Sequence, residues 1–313
     1  MVCFINGTIK SLERNTGKIV AIKVIDIFEE KILNQINQEI QTEIKQRKYS
    51  AKYGEINDNV VNIYNSFIYS SKLFITLEYF EHGSLHDLMK RNEKIRGKKG
   101  LDYDILAVLL KAIMQSLKSL HERGKIVKNI KSSNIFVTLD GSTKILDFSF
   151  GKILNESIEK SKTYLYGSPL YLAPEIIKNG NFDQKSDTWA LGILALELSE
   201  GKPPFEYPNS PSTIFEIVHR RSPEPKSDSP IEFKEFITKC LDKDRNKRMS
   251  IIQLLDTKFI EDCRHINSLK EYLCYINEKT KAIIPQSIDL SQENIRPSGS
   301  NLFTIESKLN RFK

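Results

Sequence analysis

Ile126-Val127-Lys128-Asn129-Ile130-Lys131-Ser132-Ser133-Asn134 joins two strongly helical regions, and the architecture follows from what flanks it. Upstream, Ile105-Leu106-Val108-Leu109-Leu110-Ile113 leads to Leu117 and Leu120 in a helical pattern. Downstream, Trp189-Leu191-Ile193-Leu194-Leu196-Leu198 is apolar almost all round and predicts a buried central helix. Phe233-Phe236-Ile237-Cys240-Leu241 and Ile251-Ile252-Leu254-Leu255 predict two more helices, separated by the charged turn Asp242 to Lys247. From Asp102 onward the chain therefore reads as helical.

Toward the N-terminus the pattern changes. Apolar residues are nearly continuous from Ile19 to Ile25 around Lys23, and Leu73-Phe74-Ile75-Thr76-Leu77 is rich in strand formers, so both predict buried strands. Between them Ile32, Ile36, Ile40 and Ile44 recur every fourth residue, the stripe of an amphipathic helix lying on a sheet. Past Asp262, Ile266 to Ile276 predicts one helix, and Pro285 to Lys313 is polar, proline-interrupted and aperiodic, which predicts a flexible tail.

Composition limits the function classes. The chain has 313 residues and is 40% hydrophobic, enough for a full core in one large domain or two lobes. No 18-residue apolar run and no signal-peptide pattern is present, so a soluble, cytoplasmic protein with no membrane span is expected. Cys3, Cys240, Cys263 and Cys274 show no metal-ligand spacing and fit a reducing compartment. The +7 charge goes with abundant Lys, Ile and Asn throughout and indicates no specific nucleic acid. The densest basic run, Lys90 to Lys99 (KRNEKIRGKK), reads as a solvated loop.

Several short motifs, ordered across residues 7–260, together resemble a eukaryotic protein kinase domain of Ser/Thr type. The opening stretch resembles the catalytic loop of that family. Val20-Ala21-Ile22-Lys23 resembles the strand whose lysine holds the α- and β-phosphates of ATP, with Glu39 or, one turn later, Glu43 as its ion-pair partner. Leu77-Glu78-Tyr79-Phe80 looks like the gatekeeper and hinge, where backbone groups of Glu78 and Phe80 would meet the adenine edge. The resemblance also places Ala21 and Phe136 in the ATP site, and Asp87, after the Gly83-Ser84-Leu85 turn, near the ribose. Asp147-Phe148-Ser149 stands thirteen residues after Asn134, and Asn134 with Asp147 are the oxygen ligands this family uses for Mg²⁺. Gly167 to Glu175 resembles the close of an activation segment containing Thr163, Tyr164 and Ser168, a place where an added phosphate would order the loop. Arg248 stands where an arginine pairs with Glu175. The wording around Glu200-Gly201-Lys202-Pro203-Pro204-Phe205 is most similar to the Ste20-like branch.

The resemblance implies an α+β, bilobal fold: a small β-rich N-lobe at 1–80 with its first strand missing or short, a larger helical C-lobe at 81–262, and a C-terminal helix and tail at 263–313. It fails at chemically important places. Asn129 replaces the aspartate that receives the substrate hydroxyl proton, and an amide carries no charge to receive it. If that group contributes about 10² to 10⁴ in rate, its loss raises the barrier by roughly 3 to 5 kcal/mol. Gly7-Thr8-Ile9 matches only the last glycine of the phosphate-covering loop, with Val2 and Phe4 at the earlier positions, so either the lid is lost or the sequence is a piece of a longer chain. Lys128 and Val127 replace an arginine and a histidine.

These departures predict a pseudokinase that holds Mg²⁺-ATP weakly and acts as a scaffold or allosteric partner of an active kinase or other signalling protein. The alternative is an active atypical Ser/Thr kinase with a protein substrate, using Lys131 and both metal ligands. A third reading, a basic module for nucleic acid or a membrane surface, requires a contiguous basic patch that the sequence does not display.

Overall fold

A computed structural model of the chain describes residues 4–5, 8–13, 16–26, 30–52, 59–146, 169–205 and 211–283. Strands β1 (Phe4–Ile5), β2 (Thr8–Leu12), β3 (Ile19–Asp26), β4 (Ile63–Tyr69) and β5 (Lys72–Glu78) form one antiparallel sheet in the order β1-β2-β3-β5-β4. The first strand is present but only two residues long. Helix α1 (Glu30–Lys52) lies on this sheet and buries Leu33, Ile36, Ile40 and Ile44 with Leu73, Ile75 and Leu77. Ile36, Ile40 and Ile44 thus do what their period implies, and Leu33 broadens the stripe to the width that a sheet-packed helix needs.

Below the sheet the fold is helical. Helices α2 (Leu85–Arg96) and α3 (Tyr103–Glu122) lead to the short strands β6 (Ile135–Val137) and β7 (Thr143–Ile145). Then come α4 (Pro174–Asn179), α5 (Gln184–Glu200), α6 (Pro211–His219), α7 (Ile231–Cys240), α8 (Ile251–Leu255), α9 (Lys258–Glu261) and α10 (Ile266–Ile283). Every residue of α5 from Ser186 to Leu198 is buried, as an all-round apolar helix must be. Gly192 lets α7 come close to α5, because a Cβ there would stand 2.7 Å from both Cys240 Cβ and Leu241 Cδ2.

Two expectations need correction. The basic run at 90–99 is not a loop, since Lys90 to Arg96 belong to α2. Ser84 and Asp87 cap that helix reciprocally, and Gly97 ends it with φ 66°, so the glycine marks a helix stop within the run. Asn92 is fully buried: its Nδ2 donates to Lys98 O at 2.7 Å and Gly100 O at 3.1 Å, and its Oδ1 accepts from the Tyr272 hydroxyl at 2.9 Å. The last helix also extends beyond Ile276 to Ile283, and Leu269, Tyr272, Leu273 and Ile276 join the C-lobe core. Residues 284–313, including the proposed tail, lie outside the described residues.

Candidate functional site

The loop from Ile126 to Asn134 is held from below by a carboxylate on the buried helix. Asp187, 1% exposed, accepts the Val127 N–H through Oδ2 at 2.9 Å and the Lys128 N–H through Oδ1 at 3.0 Å. His121 Nε2 lies 2.8 Å from the same Oδ2. Between these anchors Lys128 takes φ 61°, and the Asn129 N–H donates to Val127 O at 2.8 Å across it, closing a γ-type turn. The turn leaves Asn129 half-buried. The Lys128 ammonium lies over the Phe182 ring, 5.5 Å from its centroid.

The far end of the loop is fixed as firmly. Ser132 donates to Glu197 Oε1 at 2.7 Å, and the Tyr171 hydroxyl donates to the other oxygen of that carboxylate. Burial pushes the Glu197 pKa up, and these two hydrogen bonds oppose it. Asn134 is 1% exposed; its Nδ2 donates to the main-chain carbonyl of Asn129 at 3.1 Å, which ties its side chain to the turn. Its Oδ1 is buried and accepts no hydrogen bond among the described residues. A buried carbonyl oxygen with no donor is a natural ligand for a hard cation, so this atom fits the Mg²⁺ expected of it.

Two cations form a further wall, one of them, Lys131, on this same loop. Lys23, on β3, has its pKa brought down to about 8, first by burial and then by the charge of Lys131. Lys131 is itself pushed down by burial. Two desolvated ammonium groups that repel one another are stabilised by a polyanion between them, so this wall fits a nucleotide phosphate chain. Of the two carboxylates considered for Lys23, Glu43 is ion-paired with Arg47 on its own helix, and Arg47 also donates to Val61 O at 2.8 Å. Glu39, one turn earlier, buries a carboxylate oxygen.

Ala21 stands opposite Leu77 across β3 and β5, with exposures of 9% and 3%. Phe80 stacks on Phe136 with ring centroids 4.8 Å apart, an apolar contact between the hinge and β6. The Glu78 N–H donates to Asn62 O at 2.9 Å, which removes that N–H from any role with a ligand. Asp87 Oδ2 accepts from Ser84 N and Oγ at 2.9 and 2.7 Å, so the carboxylate expected near a ribose is also the cap of α2. On β2, Thr8 pairs with Lys23 and Lys10 with Ala21, so the alternation puts Lys10, and not Ile9, on their shared face. The Lys10 ammonium lies 4.6 Å from the Tyr79 ring centroid. Gly7, Asp147, Thr163, Tyr164 and Ser168 lie outside the described residues.

Sequence reasoning missed three residues that shape the site. Lys144 on β7 and Asn62 before β4 both bind the Glu78 carboxylate, at 2.8 and 2.9 Å. His121 completes the Asp187 cluster. A signal existed for Lys144, as a single cation between the buried Thr143 and Ile145 of a short strand. Asp187 gave a stronger one, as a carboxylate within an apolar helix.

A family model described as "Protein kinase domain" matches residues 6–260. Over 279 residues the chain is 34% identical to "Serine/threonine-protein kinase hippo" of Drosophila melanogaster, covering 87% of this chain and 39% of that protein. It is 32% identical over 266 residues to "Serine/threonine-protein kinase pakA" of Talaromyces marneffei, covering 84% and 39%. Against "Serine/threonine-protein kinase CST20" of Candida albicans identity is 31% over 258 residues, covering 82% and 20%. The chain spans 20 to 39% of the length of these relatives. No described helix is long and apolar enough to cross a membrane.

Proposed function

The chain belongs to the protein kinase family and is related to its Ste20-like Ser/Thr members, and from that premise we propose that it is a nucleotide-binding pseudokinase which acts by engaging a signalling partner. One observation carries the reading: an uncharged Asn129 occupies the base position of a loop that is otherwise held in place. Asn129 orients a substrate hydroxyl through its amide oxygen but takes no proton from it. Lys23 and Lys131 neutralise phosphate charge, and Glu39, which buries a carboxylate oxygen, supports Lys23. Ala21, Leu77, Phe80 and Phe136 enclose the purine. Bound Mg²⁺ would be held by Asn134 Oδ1 and Asp147, and it supplies charge neutralisation along the phosphate chain. A filled cleft stabilises one arrangement of the lobes, and a partner that recognises that arrangement is regulated by nucleotide.

A second reading, slow Ser/Thr phosphoryl transfer, has its own support in Lys131, a half-buried cation beside Lys23 that stabilises a transferring phosphate without a base. Transfer of the γ-phosphate from Mg²⁺-ATP to the protein and to a generic Ser/Thr substrate separates the two. The expected result is no transfer above background from the wild type or Lys23→Met, with activity appearing in Asn129→Asp. Wild-type transfer that disappears in Lys23→Met would overturn the pseudokinase reading.

A further inference from the structure

The hinge and the loop residues Asn134 and Asn129 are joined by a continuous set of polar contacts that passes through β7. At the hinge end, the Glu78 carboxylate is bound by Lys144 Nζ at 2.8 and 3.0 Å and by Asn62 Nδ2 at 2.9 Å. Asn62 also receives the Glu78 N–H on its carbonyl at 2.9 Å, so the two residues are paired twice. Lys144 sits on β7, which the N-lobe grips on the segment before β4: Ile145 N–H donates to Asn59 O at 2.8 Å, and Val61 N–H donates to Ile145 O at 3.0 Å. Next in the chain, Leu146 N–H donates to Asn134 O at 2.7 Å. Asn134 Nδ2 in turn donates to Asn129 O at 3.1 Å.

The Lys144 and Glu78 side chains are 15% and 22% exposed. At that depth an ion pair is screened much less than on an open surface, and the two bonds from one ammonium to one carboxylate fix the strand against the hinge. The adjacent residues Thr143 and Ile145 are buried, so Lys144 is the residue of β7 free to reach out of the core. A displacement of the hinge is therefore carried along β7 into the main chain of Asn134, the residue whose Oδ1 is left for a cation.

We propose that Lys144 is a positioning residue that couples the purine side of the cleft to Asn134 and Asn129 on its phosphate side. The coupling rests in part on the nucleotide-binding reading, because its functional consequence is that purine contact at the hinge sets the Mg²⁺-dependent part of triphosphate affinity. The contacts themselves are independent of any ligand. Two measurements on the full chain test them separately, using the wild type, Lys144→Met, which keeps the aliphatic stem, and Lys144→Arg, which keeps the charge.

The first is amide hydrogen exchange without nucleotide. Lys144→Met is expected to speed exchange at Leu146 and Asn129 by about tenfold, and Lys144→Arg is expected to restore protection. Unchanged protection in Lys144→Met, or an Arg variant as fast as the Met variant, would overturn the proposal whether or not nucleotide binds. The second is calorimetric titration with adenosine, with ATP plus chelator and with Mg²⁺-ATP. Lys144→Met is expected to leave adenosine affinity within about twofold while reducing the gain from Mg²⁺ by about tenfold. An equal loss for all three ligands would show a general structural defect and overturn the coupling. Absence of wild-type binding to any of them would remove the nucleotide reading, and the exchange result would then decide the Lys144 contact by itself.

Discussion

Asp187 holds Lys128 in a backbone conformation that lysine does not favour: Oδ1 accepts the Lys128 N–H at 3.0 Å while that residue sits at φ 61°. A left-handed L-residue costs about 1–2 kcal/mol. The Asp187 carboxylate offsets it by accepting three groups at once, from Val127, Lys128 and His121. In Asp187→Asn the amide nitrogen must face a donor in either orientation, which costs about 1–3 kcal/mol. Lys128→Gly removes the backbone strain and is expected to raise stability by about 1 kcal/mol. Urea unfolding with an unchanged m-value checks both, and a Gly variant less stable than wild type would mean that the Lys128 contact with Phe182 outweighs the strain.

Arg248 is 0% exposed and fully engaged: Nη1 and Nη2 donate to Glu175 at 2.6 and 2.9 Å, Nη1 to Lys185 O at 2.9 Å, and Nε to Asp242 O at 2.9 Å. A lysine supplies one point charge and cannot reach these acceptors together. Arg248→Lys and Arg248→Met are each expected to lose about 3–5 kcal/mol, because both leave the carboxylate and carbonyls short of donors. The double variant Arg248→Met with Glu175→Leu should recover part of that loss. Thermal unfolding measures it, at roughly 1.5 °C per kcal/mol for a chain of this size.

The parts of this fold legible in the sequence are those where burial alone fixes the pattern. Trp189 to Leu198 could only be a core helix, and the stripe Ile36-Ile40-Ile44 could only lie on an apolar surface. Helix α2 escaped because its information is in its caps: Ser84, Asp87 and Gly97 determine a helix whose surface composition matches a loop. The face of β2 was also hidden, since residues Thr8 to Leu12 do not alternate cleanly and only pairing with β3 places Lys10 beside Ala21. Lys144 and Asn62 were illegible as partners of Glu78, because contacts across 66 and 16 residues of chain leave no local period.

Lys23 gives a prediction with a defined pH. Its pKa is brought from 10.5 to about 8 by burial and by Lys131, so the folded chain releases this proton more readily than the unfolded chain. Stability from this group is therefore least below about pH 8 and rises as pH climbs toward 10.5. Phosphate binding favours the charged amine, so nucleotide affinity should fall as pH rises through the same window. Acylation of Lys23 by an amine reagent should be half-maximal at about pH 8, slow on addition of Mg²⁺-ATP, and shift to higher pH in Lys131→Met. A midpoint near 10.5 would contradict the crowding of the two ammonium groups.

His82, between the hinge and α2, predicts a response of the same sign at lower pH. It is 1% exposed, and neither ring nitrogen makes a hydrogen bond among the described residues. Burial first, then the charge of Arg91, hold its pKa below 6.5; Lys281 acts in the same direction and Glu81 against it. The unfolded chain takes up this proton before the folded chain does, so the neutral ring's contribution is complete above 6.5 and is lost as pH falls below that value. His82→Phe removes the group that must stay uncharged while keeping an aromatic volume. It is expected to lower stability little at pH 8 and to raise it relative to wild type at pH 5. Parallel pH curves for the two proteins would show that His82 is protonated without leaving its place, which would require an acceptor for its ring among the residues that surround it.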